Sequence, residues 1–293
     1  MATPRTVIAV CNDFQVGSST GILDPDSLLS RWDDVNSREA TISVASHMNP
    51  AQRYLFDLYE GGIKQVAELA GKDDLYVIVN GDYTQGERFD EYLTFNAMPD
   101  QVQIAADLIC RWVKECKTLR GIRLTKSTQV HAYKEGVADN AILTNIRERY
   151  PKLDIKLVSH GLLDINGTFV DYAHHGPSGG IRNWTKGNIL RLTALSLIKD
   201  AIQHYEPIPN VILRAHKHEQ VEEWIITRRK DERIKTLAVT VPSFQLMTPF
   251  AQKVTQSESI VTVGMLALEI GTDGVSDLRW LTETRSYRDT EVL

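Results

Sequence analysis

Four times along this chain a short aliphatic or β-branched run ends in side chains that can bind a metal. Val7-Ile8-Ala9-Val10-Cys11 leads into Asn12-Asp13-Phe14-Gln15, and Tyr76-Val77-Ile78-Val79 leads into Asn80-Gly81-Asp82. Phe169-Val170-Asp171-Tyr172-Ala173 leads into His174-His175-Gly176-Pro177, and Val211-Ile212-Leu213-Arg214 into Ala215-His216-Lys217-His218. Runs of this length and composition read as strands. In open α/β sheets, sites form in the crevice beyond the carboxyl ends of strands. The pattern therefore predicts a sheet and, at one edge of it, a site.

The rest of the chain fills in an architecture. Further strands are expected over residues 122–125 and 155–158, and a hairpin-rich ending over 221–227, 234–239, 260–269 and 275–281. Helices are expected over 50–70, 102–118, 140–150 (stopped by Pro151) and 188–205. In the first, Tyr54, Leu55, Leu58, Ile63 and Val66 fall broadly on one face and Gly71 stands as a cap. The last is the most apolar, with Leu192, Leu195, Ile198 and Ile202 at helical spacing. No repeat or Pro/Gly linker marks a boundary, so one α/β domain over residues 1–293 is expected, with packed sheets flanked by helices.

Bulk properties exclude some functions. A chain of 293 residues, 42% hydrophobic, can bury a sizeable core. A formal charge of −5 argues against nucleic-acid binding through the net field, though not against a local basic groove. No apolar stretch reaches membrane length, and the start has no signal-peptide layout. Cys11, Cys110 and Cys116 form a sparse, odd set without CxxC spacing, as in a reduced, cytoplasmic chain. Cys110 and Cys116, on an apolar helix, are expected in the core.

Carboxylates mixed with imidazoles suit first-row ions such as Mn, Fe or Zn, whereas Mg prefers oxygen alone. On extended backbone, His216 and His218 would leave the same face and share one pocket. Plainer roles compete. Asp after a strand is commonly a turn or cap residue. His160 precedes a strand that runs to the hairpin signal Asp164-Ile165-Asn166-Gly167, which makes it structural. His47 and His204 stand alone near helix ends, and the basic run over 228–233 reads as a solvated hairpin tip. Ser178-Gly179-Gly180 reads equally as a phosphate cradle or a plain loop.

The motifs, taken together and in order from Asp13 to His218, resemble the calcineurin-like metallophosphoesterases. The nearest are divergent members from phages and prophages, in which a Gly-Thr-x-x-His-like segment replaces the usual Gly-Asn-His-Asp. Here that segment reads Ser127-Thr128-Gln129-Val130-His131. The resemblance implies a four-layer fold, two packed mixed β-sheets between helices, and two divalent ions, Mn²⁺ favoured and Fe, Zn, Ni or Mg also admitted. It implies that Asp13 binds the first metal, Asp82 bridges both, a middle histidine and His216 hold the second, and His218 returns to the first. His175 is preferred as the middle histidine because Gly-Pro follows it, with His174 as the alternative. His131 would contact the leaving group or bind metal. Three positions depart from the pattern: Gln15 stands where the family usually has His, Ala215 where it has Gly, and the missing Asn leaves Thr128, His131 or water to replace it.

The expected function is hydrolysis of a phosphate ester by attack of a hydroxide bridging two metals, with Asp82 and His131 as the catalytic residues. A phosphodiester in a nucleotide or nucleic acid is the first expectation and a phosphomonoester the second. Tyr83, Arg88, Tyr133, Arg182 and Trp184 are candidates to stack and pair with a nucleotide, or ordinary rim residues. One rival is a metal hydrolase of C–N or C–O bonds, although those usually place HxH on an early strand. The other is a degenerate metal-binding or nucleic-acid-binding protein without turnover, motivated by Gln15 and the missing Asn.

Overall fold

The computed structural model describes residues 5–33, 38–87, 92–134, 136–177, 185–229, 232–248, 260–272 and 274–288. Strand β1 (Thr6–Cys11) is buried at every residue, as an unbroken apolar run covered on both faces should be. It pairs in parallel with β4 (Asp74–Val79), and β5 (Leu119–Thr125) and β6 (Asp154–Val158) extend the sheet in parallel. On its other side β1 meets β12 (Ile260–Gly271) antiparallel, and β13 (Gly274–Ser286) pairs with β12 as a hairpin. The second sheet holds β7 (His160–Ile165), β8 (Thr168–His175), β9 (Val211–Ala215), β10 (Val221–Arg229) and β11 (Glu232–Thr240), in the order β10-β11-β9-β8-β7. It is parallel at β8/β9 and β9/β11 and antiparallel elsewhere. A separate hairpin joins β2 (Leu28–Asp33) to β3 (Arg38–Ser43). Among the described residues the fold is mixed α/β, with three sheets and four α-helices.

Strand alternation sorts the core. Val7, Ala9 and Cys11 enter a cluster with helices α1 (Pro50–Ala70), α2 (Met98–Glu115) and α3 (Val137–Arg149), through residues such as Ile63, Trp112 and Ile146. Ile8 and Val10 leave the opposite face and join Val170, Tyr172, Val211, Leu213 and Val239 of the second sheet. Ile212, of opposite parity to its neighbours, packs with Leu190, Ala194 and Ile198 of α4 (Lys186–His204). Helix α1 starts on a reciprocal cap: Gln52 N–H donates to Asn49 Oδ1 at 2.9 Å and Asn49 N–H to Gln52 Oε1 at 3.0 Å, with Pro50 in the first turn.

Several expectations need correction. The β2–β3 hairpin was not anticipated because β3 is largely exposed and shows no apolar alternation to read. Helix α2 begins at Met98, where Pro99 occupies the first turn, rather than at residue 102. The buried stripe of α4 is Leu190, Ala194, Ile198 and Ala201, whereas Leu192 is 66% exposed. Leu195 and Ile202 pack partly buried against the same cluster as Ile198, so of the expected stripe Leu192 alone turns to solvent. Cys110 and Cys116 are buried free thiols, as expected. Among the described residues, no helix is long and apolar enough to cross a membrane.

Candidate metal centre

Strands β1 and β4 end in register, Cys11 beside Val79, and β8 and β9 end with His175 beside Ala215. The loops beyond them are tied together. Asp13 N–H donates to Gly81 O and Gln15 N–H to Asp82 O, both at 3.1 Å. From the other sheet, His216 N–H donates to Asp13 Oδ2 at 3.2 Å, and His174 Nδ1–H donates to the Asn80 carbonyl at 2.5 Å. Gly81 permits that approach: a Cβ there would lie 2.4 Å from His174 Nδ1. Of nine non-glycine residues with positive φ among those described, five are Asp13, Gln15, Asp82, His216 and His218. Each such conformation costs roughly 1–3 kcal/mol and concentrates at functional sites, so the strain marks this edge.

Asp82 is the centre of one group. Its Oδ2 faces His174 Nε2 at 3.1 Å, His216 Nδ1 at 3.7 Å and His131 Nε2 at 3.9 Å. Its Oδ1 accepts from Thr128 N–H at 2.6 Å and Thr128 Oγ1 at 3.0 Å. A main-chain carbonyl only accepts, so the Nδ1 atoms of His174 and of His131, which lies 2.8 Å from Gln85 O, both donate. Both rings therefore present Nε2 to Asp82, and an Nδ1–H bond to a main-chain carbonyl is what fixes the tautomer and orientation of metal-binding imidazoles.

Asp13 organises a second group. Its Oδ2 accepts from Asn12 Nδ2 at 2.6 Å, and its Oδ1 stands 3.3 Å from His218 Nε2 and 4.0 Å from His174 Nε2. Gln15 is buried beside the same cavity as Asp82, His131, His216 and His218. Asp13 Oδ1, Gln15 Oε1 and His174 Nε2 are buried atoms without a hydrogen-bond partner.

The geometry revises two expectations. His174 is 1% exposed and enters the group with Asp82 and His216, whereas His175 is exposed. Val170, Tyr172 and His174 leave the inner face of β8, and the ladder to β9 becomes irregular between Tyr172 and His175, where His175 is left exposed. His175 stays near the rim, its ring 5.3 Å from that of His216. His216 and His218 reach the site from left-handed turns beyond β9 rather than by strand alternation, which sends His216 to Asp82 and His218 to Asp13. Thr128 stands behind Asp82 as its hydrogen-bond donor.

Other candidates lie elsewhere. Tyr83 is fully buried and donates to core carbonyls, so it cannot stack on a base. Tyr133 sits in a turn with Lys134 over its ring. Arg88, Arg182, Trp184 and Ser178-Gly179-Gly180 fall outside the described residues. His160 pairs with Asp171 at 2.7 Å, and Asp171 also pairs with Arg214. The basic run lies at the β10–β11 hairpin, where Arg228 faces Arg233.

Sequence reasoning missed a buried support. Asp139, in the first turn of α3, accepts from Ser127 N–H at 2.8 Å and Ser127 Oγ at 2.7 Å. Ser127 Oγ in turn accepts from Asp82 N–H at 2.9 Å, bracing its left-handed backbone. Burial pushes Asp139 up to about 6.

The electrostatics favour a cation. Burial opposes charge on His174, yet Asp82 and Asp13 raise it to about 9. Burial likewise opposes ionisation of Asp82, but His174 and His216 hold it well below the usual carboxylate range. Ligands ~2.0–2.2 Å from one ion stand roughly 2.8–3.6 Å apart as octahedral cis or tetrahedral neighbours. The ligand atoms of Asp82, His174 and His216 all lie within 4.8 Å of one another. The donor set and its orphaned atoms fit a divalent ion. No protein-family model and no curated protein matches the chain.

Proposed function

We propose that this chain is a metal-dependent phosphoester hydrolase of the calcineurin-like metallophosphoesterase type. The observation that carries the reading is Asp82 Oδ2, buried and faced by imidazole nitrogens of His174, His216 and His131 at 3.1–3.9 Å, with Asp13 and His218 alongside. Two mixed sheets sharing one apolar cluster, with α1–α3 packed on one and α4 on the other, accord with that family's four layers.

Asp82, His174 and His216 would hold one ion, and Asp13, Gln15 and His218 a second, with Asp82 shared. When bound, such a pair supplies charge to clamp an in-line displacement at phosphorus and an acidified water as nucleophile. Carboxylate, imidazole and amide oxygen together suit Mn²⁺. Thr128 and Ser127 keep Asp82 aimed. His131, fixed by its Nδ1–H bond to Gln85 O, turns Nε2 into the site, where it can carry a proton to the leaving oxygen.

The test is turnover of a panel of phosphate esters by metal-stripped protein supplied separately with Mn²⁺, Ni²⁺, Mg²⁺ and Zn²⁺. Hydrolysis should require metal and cease with a chelator. Stoichiometric metal without turnover on any ester would leave a binding protein, and no bound metal at all would reject the site. His131→Ala should lower turnover ~10²-fold with metal content unchanged. Loss of a metal equivalent would make His131 a ligand instead.

A further inference from the structure

Two cavities meet at the His216–His218 turn, and their walls differ in chemistry. One, about 200 Å³, is lined by Gln15, Ser18, Gln85, Tyr92 and Gln245 beside Asp82. The other, about 450 Å³, is lined by Lys217, Gln220, Leu246, Met247, Val261 and Thr262. His216, His218, Gln245 and Thr248 border both. Whatever reacts at the imidazoles therefore has room to extend in two directions.

One side of the smaller compartment is the proposed metal centre itself, with Gln15, Asp82, His131, His216 and His218, and the other side, with Ser18, Gln85, Tyr92 and Gln245, is uncharged and hydrogen-bonding. No Lys or Arg is among the described residues that line it. The amides are pre-set: Gln245 Nε2 donates to Gln85 Oε1 at 3.2 Å and to Ser18 Oγ at 3.3 Å. Groups that both donate and accept, as hydroxyls do, match this wall. The compartment falls below the ~300–1,000 Å³ of drug-sized sites, which limits its occupant to a compact group. The larger compartment falls within that range and combines an aliphatic wall with the Lys217 ammonium.

Resting on the hydrolase reading, we propose that the substrate is a phosphodiester with unequal arms. A compact, uncharged, hydroxyl-bearing alcohol occupies the amide-lined compartment, and a larger, partly apolar group occupies the other. Gln85 and Gln245 are the specificity residues for the compact arm. A monoester would leave one compartment holding only water.

The test compares kcat/KM of the Mn²⁺-loaded protein for p-nitrophenyl phosphate, methyl p-nitrophenyl phosphate and glycerol p-nitrophenyl phosphate. All three release the same leaving group. The glycerol diester should exceed the methyl diester by about tenfold or more, because a site built to hydrogen-bond a hydroxyl rejects the analogue lacking it, and both should exceed the monoester. Gln85→Leu and Gln245→Leu should each bring the glycerol-to-methyl ratio toward one. That ratio is internal to each variant, so partial loss of folded protein does not move it. A preference for the monoester, a wild-type ratio near one, or variants that keep the wild-type ratio would overturn the proposal while leaving the hydrolase reading intact. No hydrolysis of any of the three would remove the hydrolase reading itself, and the proposal with it.

Discussion

Asp82 and Asp13 follow neighbouring parallel strands, and both adopt left-handed backbone at the carboxyl edge of the sheet. Their carboxylates nevertheless live differently. Asp82 has one oxygen pinned by Thr128 and the other faced by three imidazoles, while its N–H is braced through Ser127 to Asp139. Asp13 has one oxygen held by Asn12 and the His216 N–H, and leaves the other without a hydrogen bond beside His218. Under the proposed reading Gln15 would offer that half only a neutral amide oxygen. The Asp82 half is organised by the protein itself. A buried carboxylate without full pairing is costly, so under the proposed reading the Asp13 half would draw its order from a bound cation and be the looser of the two.

The contrast can be broken most forcefully at Asp82. Asp82→Asn removes the charge that three imidazoles face, a loss of the order of 3–5 kcal/mol for a buried pair, or roughly 10²–10³-fold and above in rate. No other single ligand substitution should cost as much turnover. If His218→Ala is inactive while Asp82→Asn stays near wild type, the two halves have been ranked in the wrong order.

The histidine pair sharpens the comparison next. His174→Ala should lower turnover by about 10²-fold and weaken metal retention in the Asp82 half, since its Nε2 faces both aspartates. His175→Ala should stay within a few-fold of wild type. The reverse ranking in steady-state kinetics and elemental analysis would return the ligand role to His175.

Smaller effects probe the supports. Asp139→Asn keeps one acceptor oxygen for the two Ser127 donors, so Asp82 loses part of its bracing. Loss of a hydrogen bond that supports a metal ligand costs ~10–100-fold in metal affinity or activity, and the lower end is expected. An unchanged apparent Mn²⁺ constant would show that the brace has no bearing on the site. The smallest effect should come from Gln15→Ala at saturating metal, no more than a few-fold, because water can replace an amide oxygen. Gln15→His should tighten the metal constant, since imidazole is the better donor to a first-row ion. Identical constants for wild type and both variants would mean that the Asp13 half draws nothing from Gln15.

Much of this was legible because strand and ligand are adjacent in the chain: Asp13, Asp82, His216 and His218 each follow an apolar run directly. The choice of His174 turns on pleat parity, which Val170 and Tyr172 declare, whereas the Gly-Pro after His175 points the other way. Asp139 carried no such signal, being an ordinary first-turn acid of a helix until the fold brings it to Ser127. Gln85 and Gln245 meet across 160 positions of sequence, and no local pattern anticipates that. The β2–β3 hairpin was hidden for a related reason, since its order comes from its ladder and little of it is buried.

The most direct test of the central claim is add-back of Mn²⁺ to metal-stripped protein while hydrolysis of bis(p-nitrophenyl) phosphate is followed. The account predicts no turnover in the stripped protein, and a rise that saturates once two ions per chain are bound, as a shared-carboxylate pair requires. Turnover indifferent to metal, or its absence with both ions bound, would contradict it.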